Sequence, residues 1–189
     1  MAGGPGTARR VTGCGLPSIG AGATDTSVNT PAPKPRHWLA LLGFLVLTLA
    51  LGFVAGQVTA PNIPSWYNGL VKPSFNPPSW VFAPVWTSLY VLIAVAAWRV
   101  WRKVGWRNAA MAFWLAQLGL NFAWSFIFFG AHAPLAAFAE LAVLWGFVLA
   151  TLIAFGRIDR LAGWLLIPYW AWVGFAGLLN FWVWRLNPG

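Results

Sequence analysis

Five continuous apolar stretches occupy most of this chain, at about residues 38–60, 80–103, 107–129, 134–156 and 161–186. Each exceeds the ~20 residues an α-helix needs to cross a hydrocarbon core about 30 Å thick. Backbone in hydrocarbon must satisfy its own hydrogen bonds, which leaves helices or a closed barrel. Barrel strands alternate apolar and polar side chains over about ten residues, whereas these runs are apolar throughout. The pattern predicts an all-α integral membrane protein, a bundle of five transmembrane helices. Composition decides the same way: 8% of the residues are charged, against roughly 25% in a soluble domain, too few to coat a water-facing surface.

The net charge of +9 does not describe a nucleic-acid interface, because the basic residues sit in short groups between apolar runs. That is the pattern of membrane topology. On the side of the N-terminus lie Lys34, Arg36, Arg99, Arg102, Lys103, Arg107, Arg157 and Arg160; on the other lie Lys72 and Arg185. Eight against two predicts a cytoplasmic or organelle-interior N-terminus and a C-terminus on the opposite face. Residues 1–36, rich in Gly, Ala, Pro, Ser and Thr, read as a disordered tail, with a transit peptide or a misplaced start as alternatives. The membrane domain is then 37–187. The single Cys14 has no partner for an internal disulfide.

Between the first two stretches, the loop 61–79 and the start of the next helix carry Pro61, Pro64, Pro73, Pro77, Pro78 and Pro84. Each proline fixes φ and removes a backbone donor, so the segment reads as a stiff, irregular lid. At membrane depth such backbone is tolerated only where protein or a watery cavity covers it. Fifteen tryptophans accompany this pattern. Trp66, Tyr67 and Trp80 suit either an interfacial aromatic belt or the rim of a pocket.

Polar residues within the apolar runs are few. Gln117 and Asn121, four apart, share a face of the third helix; Asn180 lies late in the fifth and Glu140 about two turns into the fourth. Such amides serve either interhelical hydrogen bonding or the polar edge of a ligand, and an intramembrane carboxyl, costly wherever it sits, marks an interior position for structural pairing or a ligand. No Cys/His/Asp/Glu set has metal-ligand spacing, and no Ser-His-acid set, P-loop or dinucleotide fingerprint occurs. No metal or cofactor is implied. Gly52-x-x-x-Gly56 and Ala112-x-x-x-Ala116 are small-residue pairs that permit close helix approach.

Four ordered blocks carry a resemblance. They are Trp66-Tyr-x-x-Leu-x-Lys-Pro-x-Phe-x-Pro-Pro-x-Trp80 with Pro84-Val-Trp-x-x-Leu-Tyr90, then Gln117-Leu-x-Leu-Asn-Phe-Ala-Trp124 with Phe128-Phe-Gly130, then Pro168-Tyr-x-Ala-Trp172, and Leu179-Asn-Phe-x-x-x-Arg185. From about Trp38 to Asn187 the chain resembles the TspO/MBR family, the tryptophan-rich sensory proteins of bacteria and the mitochondrial translocator protein, or peripheral benzodiazepine receptor.

The resemblance implies a five-helix bundle, commonly a homodimer, whose first loop closes a ligand cavity. It implies binding of porphyrins such as protoporphyrin IX, of haem-related tetrapyrroles, of sterols in the mitochondrial branch, and of drug-like ligands. Trp86 and Trp172 match the tryptophans associated with the porphyrin pocket and its proposed photochemistry. Tyr90, Asn121 and Trp124 match pocket positions, Glu140 an acidic position of the fourth helix, and Ala176 an alanine that affects sterol and drug binding. The family's C-terminal sterol motif needs a tyrosine where Phe181 and Trp182 precede Arg185, which favours a tetrapyrrole and a bacterial cell-envelope membrane over a mitochondrial or other organellar one. The expectation is a receptor or transporter-like binder in tetrapyrrole or stress regulation, rather than an enzyme. The alternative is a light- and oxygen-dependent porphyrin-degrading enzyme using Trp86 and Trp172.

Overall fold

A computed structural model describes residues 37–188; the N-terminal tail reading concerns 1–36 and lies outside them. The described chain is five long helices: α1 (His37–Ser65), α2 (Phe82–Val104), α3 (Ala109–Ser125), α4 (Pro134–Ile158) and α5 (Arg160–Leu186). All five are long and apolar enough to cross a membrane. Their outward faces stay apolar, with Phe53 69% and Trp164 68% exposed, as lipid contact allows and water would penalise.

The helix ends follow local chemistry. The expected third helix from 107 begins at Ala109, because Asn108 caps it: its Oδ1 accepts from the Ala110 amide at 2.9 Å. At its far end α3 widens into one π-helical turn, Phe126–Gly130, and His132 follows with φ 51°. Only Asp159 separates α4 from α5; its side chain caps α5 by accepting from the Ala162 amide.

One expectation fails. Pro61 and Pro64 lie inside α1, which runs to Ser65, so the lid begins at Trp66 and not at residue 61. A proline's fixed φ is itself helical, and what it removes is a donor. The donors lost are those to the Gln57 and Ala60 carbonyls, close to the helix end, while Asn62 Nδ2 donates to the Val58 carbonyl and Ser65 Oγ to that of Pro61, both at 2.8 Å. The lid itself is extended chain with two short 3₁₀ turns, Tyr67–Gly69 and Ser79–Val81.

The core centres on α2, where Ile93, Ala94, Ala96, Ala97 and Val100 have no exposure. Two glycines set the closest approaches. A Cβ on Gly163 would lie 2.7 Å from the Gly156 Cα, which lets α4 and α5 cross backbone to backbone. A Cβ on Gly52 would enter the ring of Tyr90, so α1 meets α2 there only because position 52 has no side chain. Gly52 and Gly56 therefore face inward.

One end of the bundle collects positive charge. Trp98 Nε1 donates to the His37 carbonyl at 2.8 Å, which brings the end of α2 beside the start of α1. Arg99 and Lys103 both pair with Asp159 at 2.9 Å. Burial opposes ionisation of Asp159, yet the Lys103 ammonium, the Ala162 amide and the Arg99 guanidinium together hold its carboxyl well below the ordinary range.

Candidate functional site

At the opposite end the helices enclose a cavity of about 450 Å³, within the range of small-molecule sites. Four helices line it, and α4 stands behind. From α1 come Gly52, Ala55, Gly56, Thr59 and Ile63, the i, i+3, i+4 stripe of one face. From α2 come Phe82, Trp86 and Tyr90, again one face. The α3 wall is Asn121, Trp124 and Ser125, extended by Phe128 and Phe129 of the π turn. Because a π turn inserts a residue, both phenylalanines stay buried beside the cavity. The α5 wall is Trp172, Ala176, Leu179, Asn180 and Val183.

Aromatic rings recur around the walls. Trp86 stacks on Tyr90 with centroids 5.6 Å apart and meets Tyr169 edge-on at 6.3 Å. Trp172 contacts Phe82 at 5.9 Å, and Trp124 stacks on Phe128 at 5.1 Å. The polar groups are few and mostly tied to one another. Tyr90 donates its hydroxyl to Asn121 Oδ1 at 2.7 Å, and Trp124 Nε1 donates to Asn180 Oδ1 at 3.2 Å. Asn180 Nδ2 is spent on the Pro134 carbonyl at 2.8 Å. The Trp172 indole N–H is buried and makes no hydrogen bond among the described residues. No lining residue carries a charge.

The lid closes the mouth. Tyr67 is buried, lines the cavity, and donates its hydroxyl to Asn76 Oδ1 at 2.9 Å. Burial raises its phenol above the ordinary value. Lys72 sits over the Tyr67 ring, 4.7 Å from its centroid, and donates to the Leu70 carbonyl. Asn187, just past α5, grips Val71 twice at 2.9 Å: its Oδ1 accepts from the Val71 amide and its Nδ2 donates to the Val71 carbonyl. This pairing acts as one rung of a sheet ladder made by a side chain.

The sequence-derived candidates divide. Tyr67, Trp86, Tyr90, Asn121, Trp124, Trp172 and Ala176 converge on the cavity. Trp66 lies one layer out, stacked on His132 at 4.3 Å and edge-on to Phe128. Trp80 is 75% exposed and outside the lining. Gln117 is buried behind the wall, its Oε1 accepting from the Tyr169 hydroxyl at 2.8 Å. Glu140, on α4, has both carboxyl oxygens buried without a partner among the described residues, and it also stands outside the lining. Gly52, Phe82, Leu179 and Val183 line the site without having been singled out for it; Phe82 shares a helical face with Trp86, Leu179 and Val183 one with Trp172, and Gly52 stands on α1 with no such signal.

Five helices long and apolar enough to cross a membrane, with an aromatic, uncharged chamber beneath a latched lid, define a multi-pass membrane protein. The family is then shown by likeness: the chain belongs to the TspO/MBR family, whose profile matches residues 44–185. It is 44% identical over 158 residues to the tryptophan-rich protein TspO of Chlorobaculum tepidum, covering 81% of this chain and 99% of that one. It is likewise 44% identical over 146 residues to the tryptophan-rich sensory protein of Cereibacter sphaeroides (76% and 90% covered). To the translocator protein of Homo sapiens it is 38% identical over 157 residues (80% and 92% covered).

Proposed function

We propose that this protein binds a flat tetrapyrrole, of the protoporphyrin IX type, between α1, α2, α3 and α5. The observation that carries this reading is the placement of Trp86 and Trp172 in the lining of one uncharged cavity. A macrocycle presents two apolar faces, and each aromatic contact contributes about 0.5–1.5 kcal/mol beyond area burial. Its acidic edge would turn to the lid, where Lys72 is the cation beside Tyr67. Gln117, an earlier candidate for that edge, is committed to Tyr169. Sterol recognition has less support, because the tyrosine of the C-terminal motif is missing at Phe181 and Trp182. The membrane is bacterial in this reading, with the basic end of the bundle cytoplasmic.

The test is quenching of tryptophan fluorescence by protoporphyrin IX in detergent or nanodiscs. Saturable quenching is expected, with affinity falling at least about tenfold, or ~1.4 kcal/mol, in a variant combining Trp86→Phe and Trp172→Phe. Unchanged affinity would remove these indoles from the site.

One contact favours a second reading, porphyrin degradation in light and oxygen: Trp86 lies against two tyrosines, Tyr90 and Tyr169, a setting for oxidation of the indole. A light-dependent absorbing product that vanishes in Trp86→Phe would establish it.

A further inference from the structure

The cavity has a roof and four lining helices, and one of its sides is the seam between α1 and α2. In the inner half these helices are joined. Trp98 bonds to the His37 carbonyl, Thr48 Oγ1 donates to the Tyr90 carbonyl at 3.1 Å, and Gly52 abuts the Tyr90 ring. Outward of Gly52 no hydrogen bond joins α1 to α2 among the described residues. There α1 leans the other way, with Val58 over Gly130 and Asn62 Oδ1 meeting His132 Nε2 at 3.0 Å. Toward the lid, α1 takes its polar contact from the loop after α3 and not from α2.

Along this outer stretch of the seam, Phe53, Gly56 and Ala60 of α1 and Ala83 and Thr87 of α2 all line the cavity. Phe53 is 69% exposed, and Ala60, Ala83 and Thr87 are exposed as well. Residues that line a cavity and also lie open on the outer face of the bundle mark an aperture, and this face is one the bilayer covers. Small side chains keep it open. On the lid side Tyr67 is buried and Val71 is held by Asn187, and the exposed lining residue Ser79 carries the aperture to the lid's edge at the foot of α2.

We propose that the outer half of the α1–α2 seam is the doorway of the site, through which a flat, membrane-dissolved amphiphile enters and leaves sideways while the lid stays closed. A ligand that partitions into lipid then reaches the aromatic walls without crossing water, and the lid serves as a roof rather than a gate. The identity of the guest rests on the tetrapyrrole reading; the aperture does not.

Two variants separate the routes in nanodiscs, by stopped-flow quenching with protoporphyrin IX. In a Cys14→Ser background, Val71→Cys with Asn187→Cys locks the lid when oxidised; separately, Ala60→Phe with Thr87→Phe narrows the seam. The locked lid is expected to bind within about twofold of its reduced form, and the narrowed seam to slow association and release by about tenfold, as a barrier on the entry path does. A locked lid that slows association tenfold, or a narrowed seam that leaves both rates unchanged, overturns the proposal. A ligand-free arm keeps it apart from the porphyrin reading. In bilayers of phospholipid brominated on the acyl chains, the emission lost in Trp86→Phe, which isolates Trp86, should be quenched and should recover in the narrowed seam. If the narrowed seam leaves that quenching unchanged, the doorway is wrong whatever the porphyrin result.

Discussion

At the scale of single residues, the cavity depends on an absence. Gly52 gives Tyr90 the room to lie against α1 while its hydroxyl reaches Asn121 at 2.7 Å. Gly52→Val puts atoms where a buried, hydrogen-bonded ring already stands, and overpacking of this kind costs about 1–3 kcal/mol. The expected result is a lower thermal midpoint together with weakened porphyrin quenching, since Tyr90 and its stacking partner Trp86 both form the wall. Gly56→Ala, with nothing within 4 Å of its added Cβ, should leave the midpoint where it is. Equal losses at the two glycines would refute the assignment of Gly52 to this contact. Neither effect is legible from the Gly52-x-x-x-Gly56 spacing, which specifies small residues without saying what approaches them.

At the scale of elements, the helices are held by their ends as much as by their faces. The Asn108 side chain satisfies the Ala110 amide at the start of α3, so Asn108→Ala should destabilise by roughly 1 kcal/mol, read as a fall in midpoint, whereas Asn108→Asp should retain most of the stability. The apolar periods predict five helices because hydrocarbon admits little else. The end of α1 was misread for a local reason. Each proline removes one donor, to the carbonyl four residues back at Gln57 or Ala60, but keeps a helical φ, and Asn62 and Ser65 fold back onto the neighbouring Val58 and Pro61 carbonyls. Which side chain turns back onto its own helix is a matter of rotamer and neighbour, and the sequence pattern does not record it. The π turn at Phe126–Gly130 is invisible for the same reason.

At the scale of the molecule, the two ends are chemically opposite, a basic end and a lidded one. The Arg99–Asp159–Lys103 cluster fastens α2 to the α4–α5 junction at the basic end. Asp159 has its carboxyl shifted downward in the folded protein, so its contribution is present above the unfolded value of ~3.9 and is lost as pH falls below it. Unfolding in nanodiscs followed from pH 7 to pH 3 should show stability declining in the acid limb, and Asp159→Asn should flatten that limb while lowering the midpoint at pH 7. An acid limb of unchanged slope in the variant would mean that other carboxyls govern it. The charge asymmetry also predicts that a reporter active only in the cytoplasm is silent when fused after Pro188 and active when fused ahead of His37.

The amino-acid order by itself determined that this chain lives in a membrane, how many times it crosses, and which indoles are candidates for a site. Each of those follows from transfer free energies and helical periodicity, which act locally along the chain. Tertiary structure alone decided which candidates share a wall. Trp86, Asn121, Trp172 and Ala176 come from three helices, and Tyr90, the stacking partner of Trp86, lies against α1 because Gly52 has no side chain. Gln117 and Glu140 looked like site residues because polar groups in lipid are costly wherever they sit. Packing then placed them outside the lining, Gln117 against Tyr169, because whether a buried polar atom faces a cavity or a neighbouring helix is fixed by three-dimensional register.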